Sequence, residues 1–125
     1  MRVLITGSRD WRNAALIYWA LDSRLRRAGP AGLVVVQGAC PTGADLIAER
    51  WAETARADGH PVVSEEHPAD WDRLKKRSGM IRSAEMVQVG ADVCLAFIRN
   101  RSAGATGCAR LALDAGIELH VWRES

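Results

Sequence analysis

The chain is short of cysteine, proline and long apolar runs, and neither sign of charge is in clear excess. Three cysteines occur, Cys40, Cys94 and Cys108, with no CxxC or CxxH spacing. That argues against both a disulfide framework and a cysteine zinc site. His60, His67 and His120 stand far apart and share no metal-ligand spacing, so no metal is expected. No stretch approaches the roughly 20 apolar residues that span a bilayer. The opening run Val3–Ile5 is too short for the apolar part of a signal peptide and runs into Gly7. The expected location is the reducing cytoplasm, with no membrane partner. Basic and acidic residues number 17 and 15, for a net charge of +2, which offers little attraction to nucleic acid. The densest basic stretch, Arg73, Lys75, Lys76 and Arg77, reads as a solvated helix face. Residue order defines no Ser-His-Asp or Cys-His arrangement.

What is present is an ordinary globular composition. The 125 residues are 48% hydrophobic and 26% charged, which suits one domain over 1–125. Val3–Thr6, Leu33–Val36, Val93–Ile98 and Ile117–Val121 read as buried strands, with Pro61–Val63 a weaker one. Helical stripes alternate with them. Ala14, Ile17, Leu21 and Leu25 recur up to the stop at Gly29-Pro30, and Ala44, Ala48, Trp51 and Ala55 form a second stripe. A short helical turn is expected from Asp70, then helices over Ile81–Val89 and around Cys108, Leu111 and Ala115. Such alternation implies βαβ units and an α/β fold. The predicted architecture is Rossmann-like and doubly wound, with about five parallel strands in the order 3-2-1-4-5 and helices on both faces.

In such sheets ligands bind at the carboxyl ends of the strands, where the strand order reverses. Three small-residue loops meet there: Gly7–Asp10, Gly38–Gly43 and Ser102–Thr106. Each leads into a helix N-terminus, where N–H groups and the helix dipole favour an anion, and glycine allows close approach. Gly38 to Gly43 has P-loop spacing, but Ala44-Asp45 follows where Lys-Ser or Lys-Thr is needed. The first loop lacks GxGxxG. ATP hydrolysis and dinucleotide redox chemistry are therefore disfavoured and no cofactor is expected. A phosphate- or ribose-bearing small molecule remains compatible.

Several side chains carry two readings. Arg9 is a surface arginine or a bidentate phosphate partner. Asp45 caps its helix, in capping-box spacing with Thr42, or accepts bonds from ribose hydroxyls. Ser102 and Thr106 are helix caps or phosphate donors. Arg82 and Glu85 form an i, i+3 ion pair or face a ligand. Trp11 and Trp71 pack over helix ends in preference to stacking on a base. Trp19, Trp51 and Trp122 are expected in the core or an interface. Cys94 is expected in the core, and Cys40 as an incidental loop thiol.

Taken together, the segments Arg2–Trp11, Gly38–Asp45, Pro68–Trp71, Ile81–Met86 and Ser102–Thr106 resemble the YspA-like (cpYpsA-related) branch of the SLOG superfamily. Lonely-guy phosphoribohydrolases and the DNA-processing protein DprA are relatives. The resemblance implies a Rossmann-like fold that binds or senses a nucleotide or nucleotide-derived ligand, and homo-oligomers occur among the wider relatives. It implies that Gly7, Ser8, Arg9, Gly38, Gly43 and Asp45 line the ligand. Arg82 and Glu85 would contribute from the third helix, and Ser102, Gly104 and Thr106 from the fourth loop. Departures are visible: Ser83 stands where many members have asparagine, Gln37 where histidine is common, and Met80 where proline is common. Ala109 occupies the place of the glutamate in the lonely-guy PGGxGTxxE pattern. The expected activity is therefore binding rather than catalysis. The alternative is hydrolysis of an N-glycosidic bond in nucleoside monophosphates, with Asp10, Asp45 or Glu85 as acid–base groups. Single-stranded nucleic-acid binding comes third.

Overall fold

Five parallel strands in the order β3-β2-β1-β4-β5 form the sheet in a computed structural model of the chain, which describes residues 1–74 and 77–125. The elements are β1 (Arg2–Gly7), α1 (Ala14–Ala28), β2 (Leu33–Gln37), α2 (Gly43–Ala57) and β3 (Val62–Glu66), followed by α3 (Trp71–Leu74), α4 (Ser78–Val89), β4 (Val93–Arg99), α5 (Ala103–Asp114) and β5 (Glu118–Glu124). The doubly wound α/β fold and the strand order agree with the pattern read from the sequence.

β1 and β4 are apolar at successive positions because both faces of the sheet are covered. Val3, Ile5, Leu95 and Phe97 face α1 and α2 and pack with Ile17, Leu21, Ala48 and Trp51. Leu4, Val36 and Cys94 face the other side, under Met86, Cys108 and Ala112. Each large apolar side chain buried in this way contributes roughly 1.5–3 kcal/mol, so β1 and β4 anchor the sheet. α1 begins where Asn13 accepts the Leu16 N–H at 3.1 Å and ends at Gly29, as the Gly-Pro signal indicated.

Two strand ends run further than apolar patterning suggests. β3 continues through Ser64–Glu66 and β5 through Trp122–Glu124, because main-chain pairing with β2 and β4 carries them on. Ladder bonds do not require apolar side chains, and edge strands tolerate polar ones. Trp51 is core, with its Nε1 donating to Asp22 at 2.9 Å, and Trp122 stacks on Phe97 at 5.1 Å. Trp19 is 57% exposed and does not belong to the core, because it points away from the Ile17–Leu21 face of α1. In the basic stretch Arg73 is exposed and paired with Asp70 at 3.1 Å, while Lys75 and Lys76 lie outside the described residues.

A polar clamp holds the β3 edge. The Arg2 guanidinium donates to both Glu65 carboxylate oxygens at 3.1 and 2.9 Å, and His67 Nε2 lies 2.7 Å from Oε2. The Arg2 and His67 hydrogen bonds hold the Glu65 carboxyl down to about 2. A lowered folded pKa stabilises the fold above the unfolded value of about 4.3, and that gain is lost as pH falls toward about 2. Because a third of the Glu65 side chain is exposed, Glu65→Gln is expected to cost only about 1 kcal/mol at neutral pH. Urea unfolding at a series of pH values should show that difference shrink as the medium is acidified through the carboxylate range.

Candidate functional site

A crevice of about 830 Å³ opens at the carboxyl end of β1, between α4 and the first turns of α5. It lies beside the β1/β4 neighbours where the strand order reverses, which is where a doubly wound sheet leaves room for a ligand. Its volume falls in the range of small-molecule sites.

The α5 side is built from small residues. Ser102 is the N-cap by position, but its hydroxyl makes no cap bond and instead lines the crevice. The first N–H groups of a helix have no intrahelical acceptor and point past the N-cap. Gly104 and Gly107 line the same wall, and a Cβ at either would meet no heavy atom within 4 Å. Neither backbone requires glycine, so both hold the wall open at the expense of helix propensity.

Across the crevice, Arg9 lies over the Trp71 ring at 5.2 Å from its centroid, and both residues are exposed. Asp10 is beside Arg9, its carboxylate 4.0 Å from Arg99 Nε and its carbonyl accepting from Arg99 Nη1 at 3.0 Å. The half-buried Cys40 thiol completes the rim.

Asp45 is the crevice's buried acid, 7% exposed. It takes no part in a capping box, since Thr42 makes no side-chain cap bond. Its carboxylate instead accepts the Cys40 N–H at 3.3 Å. Burial pushes the Asp45 carboxyl up to about 6, against the opposing pull of Arg82, of the Cys40 and Gly38 N–H groups, and of Arg9. The neighbouring Ala39 N–H is taken by the Gln37 side chain, whose amide donates to Glu49 at 3.2 Å. The Gly38, Ala39 and Cys40 N–H groups are therefore directed at the chain's own carboxylate and carboxamide.

The structure brings Gly7, Arg9, Asp10, Asp45, Arg82, Ser102 and Gly104 to the crevice. It does not bring Ser8, Gly38, Gly43, Glu85 or Thr106 there. Ser8 is 1% exposed, and its hydroxyl accepts the Arg99 N–H at 2.7 Å, tying β1 to β4. Gly38 leaves room for the Arg82 guanidinium, whose Nη1 donates to the Gly38 carbonyl at 2.9 Å. Gly43 presses against the Ser8–Arg9 backbone. Glu85 is exposed on α4 and forms no ion pair with Arg82. Thr106 is exposed on the far side of α5, over a second groove near Arg123. Ala109 is buried under Ile98, away from the crevice. Of the two tryptophans weighed for stacking, Trp11 is core, edge-on to Phe97 at 5.5 Å, and Trp71 lines the crevice.

Sequence reasoning missed the crevice floor, which comes from Thr6, Ser83, Met86 and Cys108. Period-2 alternation along β1 held a signal for Thr6, which shares the face of Leu4. Nothing local marked the others. Among the described residues, no group of three or more His, Cys, Asp or Glu side chains is placed to hold a metal. No helix among them is long and apolar enough to cross a membrane.

An open, doubly wound parallel sheet with a crevice beside its reversal point defines the class: a Rossmann-like α/β protein. More narrowly, the chain belongs to the YspA, cpYpsA-related SLOG family, whose profile matches residues 1–74. It is 51% identical over 118 residues to the Gene 61 protein of Mycobacterium phage D29, which covers 94% of this chain and 93% of that relative. No solved structure matches it. The family match covers β1 to α3, so the α4 and α5 walls lie beyond it.

Proposed function

We propose that the chain binds a nucleotide-derived small molecule in this crevice, with an anionic group at the N-terminus of α5 and within reach of Arg9. The observation that carries the reading is the α5 wall, where Ser102 and Gly104 border open space. Free N–H groups and the helix dipole there favour phosphate. Family membership supports a nucleotide-related ligand. Arg9, with no acceptor of its own among the described residues and stacked on Trp71, is placed to pair with the anion. In this reading Asp45 accepts from ribose hydroxyls, supported by its position on the crevice lining.

The test is native mass spectrometry of the purified protein, with thermal-shift titration against nucleotides and cyclic nucleotides. A ligand at ten times its Kd should add more than about 1 kcal/mol of stability. Gly104→Val is expected to abolish that gain while leaving the free protein folded, and Arg9→Ala to reduce it. Absence of any hit, or undiminished binding in Gly104→Val, would refute the reading.

One observation favours a second reading, hydrolysis of an N-glycosidic bond. The Asp45 carboxyl at about 6 titrates near working pH, as an acid–base group needs. Release of free base from AMP that Asp45→Asn abolishes would establish it. Glu85 is exposed and does not line the crevice, so Glu85→Gln is expected to leave any such activity intact.

A further inference from the structure

The first loop is held on both sides of Arg9. The Ser8 N–H donates to the Phe97 carbonyl at 2.9 Å, and the Ser8 hydroxyl accepts the Arg99 N–H. The Asp10 carbonyl accepts from the Arg99 side chain, and Trp11 is buried against Phe97. The main chain at Arg9 is thereby fixed. Its side chain is exposed and makes no hydrogen bond or ion pair among the described residues. Asp10, its neighbour in the chain, lies toward Arg99 at 4.0 Å, and Asp70 pairs with Arg73 at 3.1 Å. What the guanidinium does meet is the indole of Trp71, with Cζ 5.2 Å from the ring centroid.

Trp71 is seated by another element. It opens α3, and its Cη2 edge reaches the first turn of α4, where a Cβ on Gly79 would lie 3.8 Å from it. The ring is nonetheless 47% exposed and lines the crevice with Arg9. A cation over an aromatic face within about 6 Å is attracted by the ring quadrupole. An arginine plane stacks through its face, which leaves its in-plane N–H groups free for a bidentate acceptor. A surface arginine without such a contact samples many rotamers, and pairing with an anion must first freeze them.

We infer that Trp71 is a positioning residue for the ligand's anion, acting through Arg9 by holding the guanidinium beside the crevice with its N–H edge free. This rests on the nucleotide reading above, which puts the anion within reach of Arg9. It gives the tryptophan a task other than stacking on a base. Such a contact contributes only while both partners are present, so the two side chains act as a unit.

The experiment is calorimetric titration of the full chain with AMP and with ribose 5-phosphate, which carries the anion without a ring, in a double-mutant cycle. Arg9→Ala is expected to weaken AMP binding about tenfold. Trp71→Ala is expected to weaken both probes by the same factor, about two- to fivefold. In the Arg9→Ala background the same replacement should change affinity by less than about 1.5-fold. Trp71→Phe keeps an aromatic face and Trp71→Leu keeps bulk without one, so the phenylalanine variant is expected to bind more tightly than the leucine variant. A packing role would not separate these two, and melting temperatures identify any variant that has lost its fold. Equal loss in both backgrounds, or loss confined to AMP, shows that Trp71 acts without Arg9 and overturns the assignment while the nucleotide reading stands. Undiminished binding in Arg9→Ala overturns it as well. If neither probe binds the wild type, the assignment falls together with that reading.

Discussion

Gly43→Ala is expected to destabilise the protein by roughly 3 kcal/mol, whereas the same replacement at Gly104 should stabilise it by about 0.5 kcal/mol. Gly43 opens α2 with a φ of +72°, a conformation that costs an L-residue about 1–2 kcal/mol. A Cβ there would also overlap the Ser8 carbonyl oxygen and the Arg9 carbonyl group. Those atoms are main chain and cannot swing aside. The Ser8 carbonyl also accepts the Trp11 N–H at 3.2 Å and the Ala44 N–H at 3.3 Å, so displacing it disturbs two elements. Overpacking of this kind costs a further 1–3 kcal/mol, by the usual range of about that size. Gly104 has no positive φ and no heavy atom within 4 Å of its absent Cβ. Alanine there gains helix propensity and reduces the freedom of the unfolded chain. Denaturant unfolding of the two variants beside the wild type decides the matter. A Gly43→Ala protein within 1 kcal/mol of wild type, on the order of ordinary surface effects, would mean that α2 does not abut the first loop as described.

The second large effect concerns pH. Burial raises the Asp45 carboxyl to about 6 in the folded protein, against about 3.9 in an unfolded chain. Between those values the folded state holds a proton that the unfolded state has released. Stability therefore declines as pH rises through this window, and levels off above it at a cost of about 3 kcal/mol. Asp45→Asn removes the titration and keeps an oxygen for the Cys40 N–H. It is expected to stabilise the protein by about 1–3 kcal/mol at pH near 7.5 and to match wild type near pH 4. Urea midpoints across that range measure it. A variant less stable than wild type at neutral pH would show that the carboxylate's hydrogen bonds outweigh its burial. In the proposed reading Asp45 faces the ligand, and carboxyls shifted by burial gather at such sites. The same substitution is accordingly expected to weaken ligand binding even as it strengthens the fold.

Much of the fold was legible along the chain. Val3–Thr6 and Val93–Ile98 announced central strands, because only a sheet covered on both faces tolerates such continuous apolar runs. Gly29-Pro30 announced the end of α1 for a local reason, as proline cannot continue a helix. The loops Gly7–Asp10 and Ser102–Thr106 marked the correct end of the sheet. Strand limits were less legible at β3 and β5, whose outer residues are held by ladder bonds to Gln37 and Arg99 rather than by their own hydropathy.

Within the site, the sequence by itself determined which residue types were available and, through βα alternation, at which end of the sheet they would gather. Arg9, Asp45 and Gly104 could be named on that basis because each lies in a strand-to-helix loop or the first turn of the helix that follows it. Tertiary structure decided what each one does. Gly38 and Gly43 look like ligand-approach glycines in one dimension, yet packing gives their space to Arg82 and to the Ser8–Arg9 backbone. Ser8 looks like a phosphate donor, yet the parallel pairing of β1 with β4 sets its hydroxyl on Arg99. Thr6, Ser83 and Cys108 are separated by dozens of residues and share a floor only because the doubly wound crossovers place α4 and α5 over the same face of β1. Local propensity depends on neighbours in sequence, so the chain discloses it directly. Whether a loop's donors are spent internally, and which distant side chains meet, depends on contacts that exist only once the sheet and its helices have closed on one another.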